Sequence, residues 1–427
     1  MPDFLVVGGG VAGLVAARRL ALGGRSVELL EAGSLLGGQM QRHTLDAVVL
    51  DAAAESFATR GGIVATLLAD LGMAEDVVLP DIASAWVFRT DGSAAPLPAT
   101  GVLGIPGHPL APDVVRAIGL RAALRACADA VLPARVGADS ENLGALVRAR
   151  MGRGVVDDLV APVVRGIHSR HPDDMPVESA SPRLRALLAE RGSLAAAVRS
   201  VRTAAPAGSQ VAGIRGGMFR LVDALKADCE RLGVRIETGV RVDGVEPGGV
   251  SVGGRVLSGQ VVLAASDPTQ PAPERRRLTL VTLVLDAPAL DAAPRGTGVL
   301  VAAGAPGVSA RALTHMSAKW AWLADALPGR HVLRLSYDGD PADAVRTAMH
   351  DAEVLLGAPV GGLIDADSVA VWRPVPIRRG PRADGVHDIG EATAGTGLAA
   401  VIDSAERAAQ TLLGDSRSPE TRDRMVQ

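Results

Sequence analysis

The chain is poor in cysteine, in aromatic residues and in lysine. Two cysteines among 427 residues, Cys127 and Cys229, are too few for a disulfide framework, and neither belongs to a Cys-x-x-Cys pair. That excludes a small disulfide scaffold and a dithiol redox centre. It leaves two small core residues in a reducing compartment. Four Trp, four Phe and one Tyr mean interiors built from Val, Leu, Ile and Ala. Of 44 basic residues only Lys226 and Lys319 are lysine. The net charge of −3 carries no long block of one sign, which excludes the basic face or tail that a nucleic-acid partner requires. No uninterrupted apolar run approaches the ~20 residues of a spanning helix. The apolar start lacks a basic leader and is broken by glycines, so it does not read as a signal peptide. A cytoplasmic protein is expected, with contact to a membrane surface left open.

What is present is a hydrophobic fraction of 48% and a length that suggests two or three domains. "DFLVVGGG" reads as a buried strand entering a turn, "VAGLVAARRLALGG" as a helix ending at a glycine pair, and "SVELLEAG" as a second strand. Gly8, Gly10 and Gly13 thus form Gly-x-Gly-x-x-Gly between a strand and a helix. The first glycine permits the tight turn, the second lets backbone approach a pyrophosphate, and the third lets the helix pack on the strand. Backbone N–H groups at Val11 and Ala12 belong to a helix start that favours an anion. Glu31, 18 residues past Gly13 at the end of the second strand, can accept hydrogen bonds from ribose hydroxyls and would repel the extra phosphate of NADP. The unit alone leaves NAD and FAD both open.

Further along, "GGIVATLLADLG" has helical spacing, and "SAWVFRTDGSAAPLP" reads as a strand pair turning at Asp91–Gly92. From Gly101 to about Arg202 the pattern is mostly helical, with breaks at Pro106, Pro109, Pro133 and Pro162. "GGMFRLVDALKADCERLG" is a helix, followed by the strands of "VRIETGVRVDGVEPGG", "VSVGGRVLSG" and "QVVLAAS". "LTLVTLVL" and "HVLRLSY" read as strands and "PADAVRTAMHDAEVLLG" as a helix. A second glycine-opened helix, "ATAGTGLAAVIDSAERAA", lies near the other end of the chain.

Several stretches in order resemble one family. "EAGSLLGG" is similar to the strand-end acid and glycine pair of the FAD-dependent amine oxidase-like superfamily. "DAAAESFATR", "LPATGVLGIP", "LGALVRARMGRGVVDDLVAPVVRGIHSRHPDDM", "GSLAAAVR" and "AGIRGGMFRLVDAL" resemble its coproporphyrinogen III and protoporphyrinogen oxidases of actinobacterial type. The resemblance implies an α/β fold: a Rossmann-like FAD-binding domain, a mixed-sheet substrate domain and an inserted helical subdomain. The boundaries are 1–75 plus 205–268 plus 370–414, 76–98 plus 269–369, and 99–204, with a flexible tail at 415–427. It implies FAD, held by Gly8, Gly10, Val11, Ala12 and Gly13. Glu31 and Ala32 match the adenosine ribose contact, and Gly38 and Gln39 a position near the phosphates. Ala53, Ala54, Glu55 and Ser56 match the loop beside the flavin, and Val242, or Val240 in a shifted register, the adenine contact. Gly390, Glu391, Thr396, Gly397 and Leu398 match the glycine-rich C-terminal segment whose helix points at the pyrimidine end of the flavin. There the positive end of a helix dipole would stabilise charge at N1 and O2 of the reduced ring.

The implied reaction takes six electrons from a porphyrinogen in three rounds. In each, flavin N5 accepts a hydride and molecular oxygen reoxidises the cofactor to give peroxide. No catalytic side chain is required. Arg60 and Arg170 are candidate anchors for substrate propionates. Trp320 reads as a slot wall or a core residue. "HSRH" at His168 to His171 has the spacing of two metal ligands but no companions, so no metal is expected. A ferrochelatase-type enzyme is a conceivable partner. The alternatives are protoporphyrinogen IX oxidase, a flavin amine oxidase, which typically flanks the flavin face with a pair of aromatic residues and against which the single tyrosine, Tyr337, argues, and a non-catalytic FAD-binding paralogue. The last is motivated by Ala53, where the family usually has glycine, and by the short connection "VWRPVPIRRGPRADGVHDIGE".

Overall fold

The structure, a computed structural model, describes residues 1–46, 48–59, 61–81, 84–99, 101–168, 170–180, 183–201, 211–270, 275–374, 385–395 and 397–415. Two compact units divide the chain. One comprises Met1–Val78, Val211–Arg277 and Val371–Gln427, the other Leu79–Gln210 and Leu278–Ala370.

The first unit is built on a parallel sheet. The strands Arg235–Thr238, Val27–Glu31, Phe4–Val7, Gln260–Leu263 and His387–Asp388 stand side by side in that order. In chain order this is 3-2-1-4-5, the arrangement of a doubly wound nucleotide-binding sheet. Phe4 pairs with Val27 on one side and Gln260 on the other. The strands read as unbroken apolar runs because both faces are covered. Phe4, Val6, Leu29 and Val262 share a cluster with helix Val11–Leu22, helix Phe219–Arg231 and helix Leu398–Asp415. Leu5, Val7, Leu30, Val261 and Leu263 point the other way, into a cluster with Val245 and Val250 of a three-stranded antiparallel meander. The two-residue period of a strand sorts the side chains between the two layers.

The C-terminal helix Leu398–Asp415 joins the cluster of the N-terminal helix through Ile402, Ala405, Ala409 and Leu412. At the far end the chain passes so close that a methyl group added to Gly23 would meet Leu413 Cδ2 at 2.4 Å. The first and last helices of the described chain are therefore neighbours in one core.

The second unit carries a mixed seven-stranded sheet. Its order is Leu363–Pro374, Arg275–Leu285, His331–Asp338, Ala312–His315, Gly298–Val301, Trp86–Phe88 and Ala94–Pro96. Only the pair Gly298–Val301 with Trp86–Phe88 is parallel among the recorded registers. The hairpin 86–96 turns at Gly92, whose φ is 81°. Helix Ala344–Leu356 covers one face over Leu283, Leu333, Leu335 and Tyr337.

The segments read as a substrate domain and a helical subdomain lie together in this unit, each with its own apolar cluster. In the helical part Arg150, 0% exposed, is knotted to Asp129. It also donates to the carbonyls of Pro133, Val136 and Gly192 at 3.0–3.1 Å. Asp129 also accepts the N–H of Leu194 on Oδ1, the oxygen that faces Arg150, at 2.9 Å and that of Ala195 on Oδ2 at 2.7 Å, at the start of helix Leu194–Val201.

Pro162 does not break the helical run as its sequence position suggests. It is the second residue of helix Ala161–His168, directly after a π-helical turn at Val156–Val160. The wider turn makes room for the ring where a regular helix would set it against the carbonyl four residues back.

Candidate cofactor site

The glycine turn is built as its spacing predicts. Gly8, with φ of 105°, donates its N–H to Leu30 O at 2.8 Å. A methyl group on Gly13 would lie 1.9 Å from Gly8 O, so helix and strand touch there. A methyl group on Gly10 would meet nothing within 4 Å. The backbone at Gly10 is thus open where a ligand would approach. Helix Val11–Leu22 has no side-chain cap and no acidic residue in its first turn. The first N–H groups and the positive end of its dipole suit a diphosphate.

Glu31 is oriented by backbone. Its Oε2 accepts the N–H of Gly9 and its Oε1 that of Gly33, both at 2.7 Å. A carboxylate accepts about four hydrogen bonds, so capacity for ribose hydroxyls remains. Ala32 beside it is exposed. Val240 N–H donates to Glu31 O at 2.9 Å, whereas Val242 is 7% exposed and packs with Leu5 and Leu30. The loop Ser34–Gln39 folds back on the turn. Gly37 N–H donates to Gly9 O at 2.8 Å, and an added methyl on Gly38 would sit 3.6 Å from Gly10 Cα.

Gln39 links the two ends of the chain. Its Nε2 donates to Glu391 Oε2 at 2.8 Å and approaches Trp372 O at 3.4 Å. Gly390, which precedes Glu391 and has φ of 94°, lies by the start of helix Val11–Leu22: an added methyl would sit 3.4 Å from Ala12 Cβ. Helix Leu398–Asp415 opens at Gly397, whose carbonyl accepts Val401 N–H at 3.0 Å, and its first turn holds no acidic residue. Methyl groups on Gly395 and Gly397 would meet nothing within 4 Å. Thr396 lies outside the described residues, as do 375–384 of the short connection.

Ala53, Ala54, Glu55 and Ser56 are half-buried on a segment between strands Val48–Asp51 and Phe57–Ala58. The residue that anchors this segment was not singled out by sequence reasoning. Asp51, 5% exposed, accepts the N–H groups of Met218 and Phe219 at 2.8 and 2.9 Å and so caps helix Phe219–Arg231 from 167 residues away. The signal was there: an acid opening "DAAAESF" and a glycine pair opening "GGMF". Gly217 has φ of 119°, a conformation that suits glycine and lets the helix start face Asp51.

The expectations on the substrate side fare differently. Arg60 lies outside the described residues. Arg170 is half-buried. Trp320 is 2% exposed, caps helix Ala321–Ala326 and carries Lys319 Nζ 5.1 Å above its ring. That burial is the core placement, one of the two readings its sequence position offers. His171 Nδ1 accepts Asp173 N–H at 3.2 Å and caps a short turn, while the His168 side chain lies outside the described residues. Among the described residues no group of three His, Cys, Asp or Glu could hold a metal. Cys229 is buried and donates to Leu14 O at 3.5 Å. Burial, aided by the Asp228 charge, pushes its thiol up to about 12, so it is no nucleophile. Tyr337 is 2% exposed beneath helix Ala344–Leu356. Burial and the neighbouring Asp351 push its hydroxyl above the usual range.

A 3-2-1-4-5 parallel sheet, an open glycine turn, a tethered strand-end acid and a C-terminal helix returning to that turn define a dinucleotide-binding protein of the Rossmann type. Residues 11–294 match the model of the family described as flavin-containing amine oxidoreductases. Coproporphyrinogen III oxidase of Mycobacterium tuberculosis is 30% identical over 404 residues, which span 88% of this chain and 84% of that protein. Its counterpart in Propionibacterium freudenreichii is 26% identical over 352 residues, 71% and 67% of the two chains. A crystal structure from Exiguobacterium sp. 255-15, provisionally assigned as a protoporphyrinogen oxidase, superposes with a TM-score of 0.81 at 22% identity, covering 97% of this chain and 99% of that one. Putrescine oxidase has the same fold, at a TM-score of 0.63 and 16% identity over 97% and 98% of the chains. The chain belongs to the flavin-containing amine oxidoreductase family, and its cofactor is FAD.

Proposed function

We propose that this chain oxidises coproporphyrinogen III to coproporphyrin III, with FAD as the immediate electron acceptor and molecular oxygen as the terminal one. The similarity to the mycobacterial coproporphyrinogen III oxidase along 88% of the chain carries this reading. The bound flavin would supply the hydride acceptance, in three rounds per porphyrin.

The protein's part is to hold and orient. The N–H groups at Val11, Ala12 and Gly13 would take the diphosphate and Glu31 the adenosine ribose. The start of helix Leu398–Asp415, at Gly397 and Leu398, would place a positive dipole end where the flavin gains negative charge. Ala53 to Ser56 would line the flavin, and Val242 the adenine. Arg60 and Arg170 are proposed as propionate anchors; Arg170→Ala should raise KM several-fold with kcat little changed.

Protoporphyrinogen IX oxidase is the second reading, favoured by the 25% identity over 203 residues with the mitochondrial protoporphyrinogen oxidase of Nicotiana tabacum. An amine oxidase reading needs aromatic rings at the flavin, and the one tyrosine lies in the core of the other unit. The test is direct. Purified protein should be yellow, bleach under anaerobic coproporphyrinogen III, and give porphyrin fluorescence and peroxide in air. Faster turnover of protoporphyrinogen IX would reverse the choice of substrate, and a colourless protein that ignores added FAD would end both. Co-purification with a ferrochelatase-type enzyme tests hand-over of the product.

No helix among the described residues is long and apolar enough to cross a membrane. Flotation with lipid vesicles would separate a peripheral membrane protein from a cytoplasmic one.

A further inference from the structure

We infer that Gln39 is the acceptor for a hydroxyl group of the ribityl chain of FAD and makes no contact with the diphosphate. The inference rests on the FAD-dependent reading above and differs from the sequence-based expectation that Gln39 lies near the phosphates.

The amide of Gln39 can be oriented in only one way. Its Nε2 lies 2.8 Å from a carboxylate oxygen of Glu391 and 3.4 Å from the carbonyl oxygen of Trp372. Reversing the amide would set Oε1 against both, acceptor against acceptor. Both N–H bonds therefore face protein oxygens, and none is left for a phosphate. Oε1 is buried and has no hydrogen-bond partner in the protein. A buried acceptor left so costs about 1–3 kcal/mol, and only a donor can offset it. A diphosphate offers acceptors alone.

Position chooses among the donors of the dinucleotide. A methyl group added to Gly38, the preceding residue, would lie 3.6 Å from Gly10 Cα at the anion-binding turn, and one added to Gly390, which precedes the partner Glu391, would lie 3.4 Å from Ala12 Cβ. Gln39 thus lies between the start of helix Val11–Leu22 and the C-terminal glycine segment. Glu31, at the end of the second strand, serves the adenosine end. The part of FAD between a diphosphate at the first helix and a flavin ring at the last is the ribityl chain, which carries hydroxyl donors.

The test uses the full-length apoprotein and two ligands. FAD and ADP share the adenosine and the diphosphate, but ADP has no ribityl chain. For Gln39→Leu and, as a closer match in shape, Gln39→Met, FAD affinity should fall about tenfold while ADP affinity stays within about twofold. Retained ADP binding also reports that the cradle of each variant is folded. Equal losses for FAD and ADP would place Gln39 at the diphosphate, and unchanged FAD affinity would remove it from the cofactor; either result overturns the inference. Wild-type protein that binds ADP but not FAD would instead overturn the flavoprotein reading itself.

Discussion

Gly10 and Gly13 belong to one turn, yet an added methyl group meets different things at the two. At Gly13 it would overlap the Gly8 carbonyl, at 1.9 Å; at Gly10 it meets nothing within 4 Å, and φ is −70°, which alanine adopts freely. Gly13→Ala should therefore damage the protein itself, lowering apoprotein stability by several kcal/mol through forced separation of strand and helix. Gly10→Ala should leave the apoprotein melting temperature unchanged and weaken FAD binding tenfold or more, because the methyl group occupies the approach of the pyrophosphate. Apoprotein melts and FAD titrations of the two variants separate the structural glycine from the ligand glycine. The same logic applies to Asp51, whose carboxylate takes two N–H groups at the start of helix Phe219–Arg231. Asp51→Ala should cost about 1–3 kcal/mol in urea unfolding, with Asp51→Asn, which keeps one acceptor oxygen, losing less.

At the scale of elements, one buried ion pair ties together segments of the helical part of the second unit. Arg150 and Asp129 are 0% and 1% exposed, and together they satisfy the connection after helix Pro112–Cys127 and the start of helix Leu194–Val201. Removing one partner strands the other charge in an apolar interior, so Arg150→Met should destabilise by about 3–5 kcal/mol in urea unfolding. FAD binding reports on the other unit and should be retained. The elements themselves were largely readable. The strand, helix and strand of the N-terminal unit, the Asp91–Gly92 hairpin and the helix 344–356 follow from period and turn residues. Pro162 was misread because a proline speaks only for a regular helix, and a π-turn accommodates it.

Over the whole molecule, periodicity and spacing located what is local, and the family resemblance brought the C-terminal helix to the N-terminal unit, but individual side-chain pairs across distance carried no signal. Gly-x-Gly-x-x-Gly and Glu31 announce themselves by spacing along the chain. The pairs Asp51 with residues 218–219, Gln39 with Glu391, and Arg150 with Asp129 and Gly192 join positions that no periodicity relates. A further cluster of this kind governs the response to acid. His315, 1% exposed, places Nε2 3.0 Å from His331 Nδ1, and His331 Nε2 lies 3.0 Å from Asp291 Oδ1. Burial, then the neighbouring His331, lowers the His315 pKa from 6.5 to about 4. Unfolded chains bind this proton below about pH 6.5 and the folded chain only near 4, so the contribution is complete above 6.5 and is lost as pH falls from 6.5 towards 4, by about 3 kcal/mol. Asp158 and Glu406, whose pKa values are raised chiefly by burial, act in the opposite sense over part of this window, since their folded forms take up protons first. The difference between wild type and His315→Gln, not either curve alone, isolates the imidazole. Urea midpoints between pH 7.5 and 4.5 should fall more steeply for the wild type; parallel curves would mean that His315 is already protonated, or solvated, in the folded protein.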